Sequence, residues 1–532
     1  MAKVFNTTAV CVPEEHYMVN LEKRLCEIKK LVDRGDYFII NRARQYGKTT
    51  TLIALSHFLQ KDYYVVRMDF QTFGSAEFRS EQTFASAFAS SFLELLEYND
   101  LTENEKLSEK TGSLLQEAES ERLSLRLLFK GLREICGASD RPIVLMIDEV
   151  DNAANNQIFL DFLAQLRAQY ISRYQFPALK SVILAGVYDV KNLKLKIRTE
   201  EEHKYNSPWN IAADFKIDMS FSKNEIAGML DEYERDYQTG MDLGQMAGWI
   251  WDYTAGYPFL VSRICQLIDE DIWLQEVYGS KAAAWTRKGF QEAVRILLAE
   301  KNTLFESLSE KLERYPGLND MLKSLLFTGK TIPYNYYEPS ISIATMFGFV
   351  KNQEGVLTVA NRIFETWLYN FYLSAEQVQK EELYTAAIQD KNQFLVQGHL
   401  NMRRVLERFV DHFHEIYGSY SEKFVEEEGR RYFLLYLRPI INGTGNYYVE
   451  ARTRDLRRTD LIVDYRGEQY IIEMKIWRGQ EYLDRGEQQL AAYLDDYHAR
   501  KGYLLSFNFN QRKKTGVHEI TVGDKTIIEA VV

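Results

Sequence analysis

The sequence predicts an α/β protein in which two sheet-containing regions flank a mainly helical middle. Three observations carry this prediction. Short apolar runs alternate with helical stretches through the first third of the chain, the signature of a parallel sheet with helices on its faces. From about 222 to 310 the apolar spacing is helical throughout. From about 400 a new series begins, with a long helix, three strands, a helix and a further strand.

Taken in order, residues 20–34 read as a helix and 37–41 (YFIIN) as a buried strand. A loop follows, then a helix opening near Lys48. Residues 63–70 (YYVVRMDF) read as a second strand, and 83–136 as a long helical region with a polar stretch at 100–122. Residues 142–148 and 181–187 are apolar strands of the same buried type. Residues 317–372 read as helices, a short hairpin (GFVKNQEGVLTV) and another helix. In the last region the strands fall at 447–452, 460–465 and 469–475, the helix at 480–498 and a strand at 502–507.

Composition limits the classes open to the chain. Its 532 residues suggest about three or four domains. With 46% hydrophobic residues and 9 prolines, there is enough apolar material for real cores and no disordered character. A formal net charge of −11 argues against a passive nucleic-acid coat, though an enzyme with a local basic groove remains open. The four cysteines, Cys11, Cys26, Cys136 and Cys265, form no CxxC pair, so reduced thiols in a cytoplasmic protein are expected. No run approaches about 18 uninterrupted apolar residues and the N-terminus has no signal-peptide pattern, so no membrane partner is expected.

The loop NRARQYGKTT (41–50) sits between a strand and a helix. Gly47, Lys48 and Thr49 match the end of the phosphate-binding consensus GxxxxGK[ST], while Arg42 stands where its first glycine belongs. The chemistry needs these residue types. Backbone N–H groups at a helix N-terminus bind phosphate oxygens, Lys48 neutralises phosphate charge, and the Thr49 hydroxyl can ligate Mg²⁺. About a hundred residues on, IVLMIDEVD ends an apolar strand at Asp148, placed to hold Mg²⁺, with Glu149 placed to orient the attacking water. Tyr188 and Asp189, after the next strand, are a candidate sensor position.

These residues resemble the bacterial AAA-like, or STAND-like, ATPase family. The resemblance rests on Phe5–Thr8 and His16–Val19, on Arg44, Gln45, Tyr46, Gly47, Lys48, Thr49 and Thr50, and on the Asp148-Glu149 pair. It also rests on Ser207-Pro208-Trp209-Asn210 and Gly256-Tyr257-Pro258. It covers roughly residues 3–375. It implies a P-loop NTPase core with ATP and Mg²⁺ at residues 44–50 and Asp148, then a helical lid and a winged-helix-like extension. In that resemblance the missing first glycine is an ordinary variant. His16 and Tyr17 would then lie near the adenine, and Arg198 would be a phosphate-sensor candidate.

The C-terminal region carries a second constellation. Asp460 begins one strand, a turn follows at Arg466-Gly467, and the next strand presents Glu473 and Lys475 on one face. Two carboxylates beside an ammonium form a hard-oxygen site for Mg²⁺ or Mn²⁺. The following helix carries Gln489 and Tyr493 four residues apart on one face. This pattern resembles the PD-(D/E)XK nuclease superfamily over about 400–507, with Thr459 where the proline of the family name stands. The resemblance implies a restriction-endonuclease-like α/β domain, Gln489 as the family's helical glutamine, and an upstream helical glutamate completing the metal site. Glu427 and Glu428 both fit that last position. Arg452, Arg454, Arg457, Arg458, Arg478, Arg485 and Arg512-Lys513-Lys514 supply cations for an anionic substrate.

The expected domains are an ATPase core at 1–220, a lid at 221–310, a winged-helix-like region at 311–380 and a nuclease-like domain at 395–532. The expected function is an ATPase with a metal-dependent nuclease that acts on nucleic acid, DNA before RNA, under nucleotide control. Defence or mobile-element biology is its expected setting. The alternative is a regulatory ATPase whose C-terminal domain binds nucleic acid or protein without cutting. A homo-oligomer stays open.

Overall fold

The computed structural model describes residues 3–99, 104–120, 122–153, 156–187, 209–327, 332–374, 382–417, 426–442, 444–452, 458–477, 480–497, 499–508 and 514–532. Two compact units emerge, Met1–Phe221 and Ser222–Val532.

The first unit begins with α1 (Glu22–Asp33), β1 (Tyr37–Asn41), α2 (Lys48–Leu59) and β2 (Tyr64–Asp69). Three helices follow, α3 (Glu81–Glu97), α4 (Glu105–Glu119) and α5 (Leu125–Ala138), then β3 (Ile143–Asp148), α6 (Gln157–Ser172) and β4 (Ser181–Gly186). The helical stretch read as one region from 83 to 136 is cut in three by its caps. The Ser80, Asn104 and Ser124 side chains each accept a backbone N–H three residues on, satisfying donors a helix start would otherwise orphan. The polar stretch near 100–122 contains α4, whose Leu114 packs so closely on α5 that a Cβ on Gly131 would sit 2.7 Å from it.

The four strands pair in parallel in the order β1-β4-β3-β2. Strands β3 and β4 are buried along their whole length, as a sheet covered on both faces requires. One face is filled by an aromatic ladder. Phe84, Phe88 and Phe92 recur every four residues along α3; the first two meet Phe162 of α6, and Phe92 stacks on Phe88. Each such ring contributes about 1.5–3 kcal/mol by leaving water. The four C-terminal strand ends, Asn41, Asp69, Asp148 and Gly186, share one edge, the side on which open parallel sheets place ligands.

The second unit opens with α7 (Lys223–Tyr237), α8 (Leu243–Thr254) and α9 (Pro258–Gln266). It continues through α10 (Arg287–Ala299), α11 (Thr303–Arg314), α12 (Pro316–Phe327) and α13 (Pro339–Met346). The hairpin expected from sequence is β5 (Val350–Gln353) and β6 (Val356–Val359), turned by Glu354 and Gly355 with φ of 53° and 86°. Helix α14 (Arg362–Leu373) follows, then α15 (Glu382–Asp390), the short pair β7 (Leu395–Val396) and β8 (His399–Leu400), α16 (Met402–Tyr417) and α17 (Glu426–Ile441).

The last sheet comprises β9 (Gly445–Arg452), β10 (Arg458–Tyr465), β11 (Glu468–Ile476), β12 (Lys501–Phe507), β13 (Gly516–Val522) and β14 (Lys525–Val531), with α18 (Gln480–Asp496) between β11 and β12. Their order is β13-β14-β12-β11-β10-β9. The turn at Arg466-Gly467 joins β10 to β11 with φ of 50° and 86°. Strands β13 and β14 are an addition to the sequence reading. They form a hairpin around Gly523, whose φ is 63°, and β14 pairs in parallel with β12.

The β9–β10 end of this sheet packs against the helical middle of the same unit. Tyr253 of α8 stacks edge-on against Tyr448 at 4.7 Å, and Gln291 of α10 donates to Asp464 Oδ1 at 3.1 Å. Burial pushes the Asp464 carboxyl up to about 6 from its ordinary 3.8, against the pull of Gln469, Arg287, Arg362 and Tyr253. Because the folded value is raised, this group's favourable contribution is present below about pH 4 and is lost as pH rises through 6. At neutral pH its ionisation costs roughly 3 kcal/mol. Asp464→Asn keeps an acceptor for Gln291 and removes the charge. We expect it to raise the melting temperature at pH 8 by several degrees and to flatten the fall in stability between pH 4 and 7. A variant that melts below wild type at pH 8 would show that the charge is stabilising in place.

Candidate functional site

The loop after β1 has a backbone suited to wrapping an anion. Gln45 and Gly47 sit at φ of 57° and 74°, and Gly47 is the N-cap of α2. A Cβ on Gly47 would meet nothing within 4 Å, so the approach to the first N–H groups of α2 is open. Lys48 is buried, and its ammonium donates to the carbonyls of Arg42 at 3.0 Å and Ala43 at 3.1 Å. Burial lowers its pKa, and the carboxylates of Glu149, Asp151 and Asp148 oppose that shift. Thr49 is half-buried in the first turn of α2, and Arg44 is exposed. The Thr50 hydroxyl accepts the Cys11 N–H at 3.3 Å, tying the N-terminal segment to the loop helix. In that segment the His16 ring accepts the Val12 N–H at 3.0 Å, and Tyr17 is buried against Phe5.

Arg42, at the position of the missing glycine, has structural work of its own. It donates to the Ile217 carbonyl at 2.8 Å and lies over the Phe215 ring at 5.3 Å. The Tyr46 hydroxyl bonds the Ser220 hydroxyl at 2.8 Å, and Arg24 donates to the Asp218 and Ser220 carbonyls. A glycine at 42 could hold neither the Ile217 carbonyl nor the Phe215 ring, so the departure from consensus anchors the segment 215–220 on the loop.

Asp148 ends β3 almost fully buried, and its Oδ1 accepts the Glu149 N–H at 2.9 Å. Glu149 itself adopts φ 51°, ψ 40°, a left-handed backbone that is unusual for this residue and turns the chain sharply off the strand. Burial raises its carboxyl pKa, Lys48 pulls it down, and Asp148, Asp151 and Asp69 push it up.

Two residues of this edge were not singled out from sequence. Asp69 lies in register with Asp148 across β2 and β3. Asp151 accepts the Val187 N–H at 2.6 Å and fills the space beside Gly186, where a Cβ would stand 2.8 Å from its carboxylate. Asp69 ends an apolar strand and Asp151 stands in the short turn just past another, the signal that could have marked them. Tyr188, Asp189, Arg198, Ser207 and Pro208 lie outside the described residues. Trp209 is fully buried against Tyr37.

A strand–loop–helix phosphate cradle beside an acidic pair on the next strand but one is the construction of a P-loop ATPase core. The chain belongs to the AAA-like domain family, whose model matches residues 11–368. Among solved structures, a Walker-type ATPase of Pyrococcus abyssi aligns at 16% identity and TM-score 0.45, over 68% of this chain and 99% of its own. The Aeropyrum pernix ORC1 protein, solved in complex with DNA, aligns at 14% identity and TM-score 0.27, over 68% and 94%. The Aeropyrum pernix ORC2 protein aligns at 13% identity and TM-score 0.32, over 66% and 94%. No curated protein matches the chain. No helix among the described residues is long and apolar enough to cross a membrane, and all four cysteines are free thiols.

In the second unit, Glu473 and Lys475 sit two residues apart on β11, facing the same side. The Lys475 ammonium lies 2.8 Å from Glu473 Oε1; the carboxylate is fully enclosed and the lysine 13% exposed. The register Leu461↔Ile472, carried one residue further, sets position 460 opposite 473 on the neighbouring strand. Helix α18 closes over this face, where a Cβ on Gly486 would stand 3.3 Å from the Lys475 stem. On that helix Gln489 donates to the Tyr493 hydroxyl.

One more carboxylate on this sheet face went unread in the sequence. Glu529 of β14 accepts the Ser506 hydroxyl at 3.1 Å, and burial raises its pKa. The side chains of Asp460, Glu427 and Glu428 lie outside the description, as do those of Arg452, Arg454, Arg457, Arg458, Arg478, Arg512 and Lys513. Helix α17, which carries 427 and 428, sits at Gly429 against Phe507, on the sheet face opposite Glu473. Arg485 and Lys514 are exposed. Among the described residues no three His, Cys, Asp or Glu side chains form a metal cage.

Proposed function

We propose that this chain binds and hydrolyses ATP at residues 44–50, Asp148 and Glu149, and that its region 395–532 is a metal-dependent nuclease under nucleotide control. In this reading 221–310 is a lid and 311–380 a winged-helix-like extension, supported by the β5–β6 hairpin between helices. The residues suit Mg²⁺-ATP: an open loop at Gly47, a buried ammonium at Lys48, a hydroxyl at Thr49 and a buried acid at Asp148. Lys48 exchanges its loop carbonyls for phosphate oxygens. Glu149, its carboxyl raised by burial, accepts a proton from the water that adds to the terminal phosphorus, as the bond from that phosphorus to the bridging oxygen breaks and ADP departs. Bound Mg²⁺ would supply further neutralisation of phosphate charge.

The observation that carries the nuclease reading is the Glu473–Lys475 pair, set across from position 460 and covered by the glutamine-bearing helix. Its donor set is hard oxygen beside an ammonium and suits Mg²⁺ or Mn²⁺ held by Asp460 and Glu473, while the place of α17 on the opposite sheet face leaves Glu428 out of the set. The metal would supply a more acidic water and charge neutralisation. Lys475 orients that water and stabilises charge developing on the phosphate, while Gln489 fixes the geometry around it. Water adds to phosphorus, one P–O bond breaks, and the departing oxygen takes up a proton. DNA is the proposed substrate before RNA.

One observation favours the second reading, a C-terminal domain that binds without cutting. Glu473 is fully enclosed and already neutralised by Lys475. The deciding experiment incubates the full chain with single- and double-stranded DNA and RNA, in Mg²⁺ or Mn²⁺, with and without ATP. Cutting that Glu473→Gln abolishes while the melting temperature holds supports the nuclease. Intact substrate under every condition leaves the binding-only reading.

A further inference from the structure

The second unit contains a cleft of about 1230 Å³ that the proposed chemistry leaves unused. Its walls come from α10, α12 and α14 on one side and from α17 and the start of β9 on the other. We infer that this cleft holds a short single-stranded stretch of nucleic acid, with a base stacked on Phe371 and its phosphates along the arginine and lysine side chains of the rim.

An aromatic wall supplies the base platform. Phe305, Trp367 and Phe371 form a continuous stack, with centroids 5.2 and 5.3 Å apart and planes 9° and 21° from parallel. The stack begins in the core, where Phe305 is 5% exposed, and ends in the cleft, where Phe371 is 37% exposed. A flat ring backed by half-buried Trp367, itself stacked on buried Phe305, is a rigid platform. Its outer face accepts any base at little ordering cost.

Charge supplies the phosphate track. Arg295, Lys323, Arg431 and Arg438 line the cleft, and Asp320 is the one acid among its described wall residues. Arg295 also pairs with Glu292 at 2.7 Å, so its charge is partly offset. Four cations gathered in one concavity of a chain with net charge −11 make a local basic trough. Lys323 lies over the Tyr372 ring at 5.5 Å, and Arg438 donates to the Ser374 hydroxyl at 2.5 Å, which fixes both cations beside the aromatic wall. Asn370, whose Oδ1 accepts the Tyr447 hydroxyl at 3.2 Å, and Asn446 also line the cleft. The volume exceeds the roughly 300–1,000 Å³ of ordinary small-ligand pockets, which favours a strand over a mononucleotide.

Binding in this cleft stands apart from cleavage. Fluorescence anisotropy of labelled dT12 with the full chain in EDTA reads it without any cutting. Phe371→Ala should weaken binding on the order of 5- to 150-fold, the range set by loss of one stacked base. Lys323→Glu should weaken it as well and lower the dependence of log affinity on log salt by about 0.7 for each phosphate the cleft no longer neutralises. Tyr174→Ala, an exposed aromatic of the first unit, is the control and should bind as wild type, with all variants melting alike. Equal affinity of wild type and both cleft variants would overturn the site. So would displacement of dT12 by dTMP at equal affinity, which would make the cleft a mononucleotide pocket. Cutting of DNA that persists while Phe371→Ala binds normally would leave the nuclease reading standing and remove this one. Weakened binding without any cutting would do the reverse.

Discussion

Lys48→Ala is expected to abolish ATP binding in calorimetry, with affinity falling by at least about 100-fold. One charge-assisted hydrogen bond is worth about 1.5–3 kcal/mol, and Lys48 would make more than one to the terminal phosphates. The substitution does further harm by leaving Asp148, Glu149 and Asp151 without the ammonium that opposes them, so that the cradle repels an anion. Glu149→Gln should behave differently. It removes a negative charge and keeps the shape, so binding should hold or tighten, while hydrolysis drops by about 10²–10⁴. Hydrolysis by wild type should also fall as acid protonates Glu149, and it should begin to fall above the usual glutamate range because burial holds that carboxyl up. Equal nucleotide affinity for wild type and Lys48→Ala would sink the assignment of the loop.

The second large effect concerns control. Cleavage should differ among wild type, Lys48→Ala and Glu149→Gln in the presence of ATP, with Asp460→Ala as the inactive reference. ATP could bias the proposed nuclease only by binding two conformations of the chain unequally, and a coupling of about 1–3 kcal/mol corresponds to roughly 5–150-fold in rate or affinity. The structure supplies a physical start for such a coupling. Arg42, Tyr46 and Arg24 bond the segment 217–220, which runs directly into the second unit at Ser222. A phosphate that draws Lys48 away from the Arg42 and Ala43 carbonyls changes the loop to which that segment is tied. Identical metal-dependent rates in all three active forms would leave the nuclease in place and remove the gate.

Much of the first unit was legible because its signals are local. YFIIN, IVLMID and SVILAG are continuous apolar runs, and a strand buried on both faces needs nothing else. The phosphate loop declared itself through residue types at fixed spacing. Its anchoring role did not, because the Ile217 partner of Arg42 lies 175 residues away in sequence, in a segment with no pattern of its own. The three-way division of 83–136 was hidden for a smaller reason. The caps at Asn104 and Ser124 are ordinary polar residues in a polar stretch, and only the bonds they make distinguish them. The β13–β14 hairpin was written in the sequence as alternation around Gly523-Asp524, yet its pairing with β12 is a parallel contact that local spacing does not announce. In the C-terminal site, the shared face of Glu473 and Lys475 followed from strand periodicity alone. The full enclosure of Glu473 depends on α18 and could not.

The packing of the last sheet has a practical consequence for anyone who would study it alone. The outer side of β9 and β10 is finished by Tyr253, Gln291 and Thr366, which enter the chain long before residue 395. A fragment trimmed to the last sheet and its helices would present Tyr448 of the edge strand β9, and Ile462 and the Asp464 carboxyl of β10 beside it, to water, the kind of surface through which chains associate. Such a fragment should be sticky and poorly soluble whether or not the intact chain cuts nucleic acid. Its inactivity would report on lost packing, while a fragment that keeps the helices from Ser222 onward retains the side chains that complete the sheet.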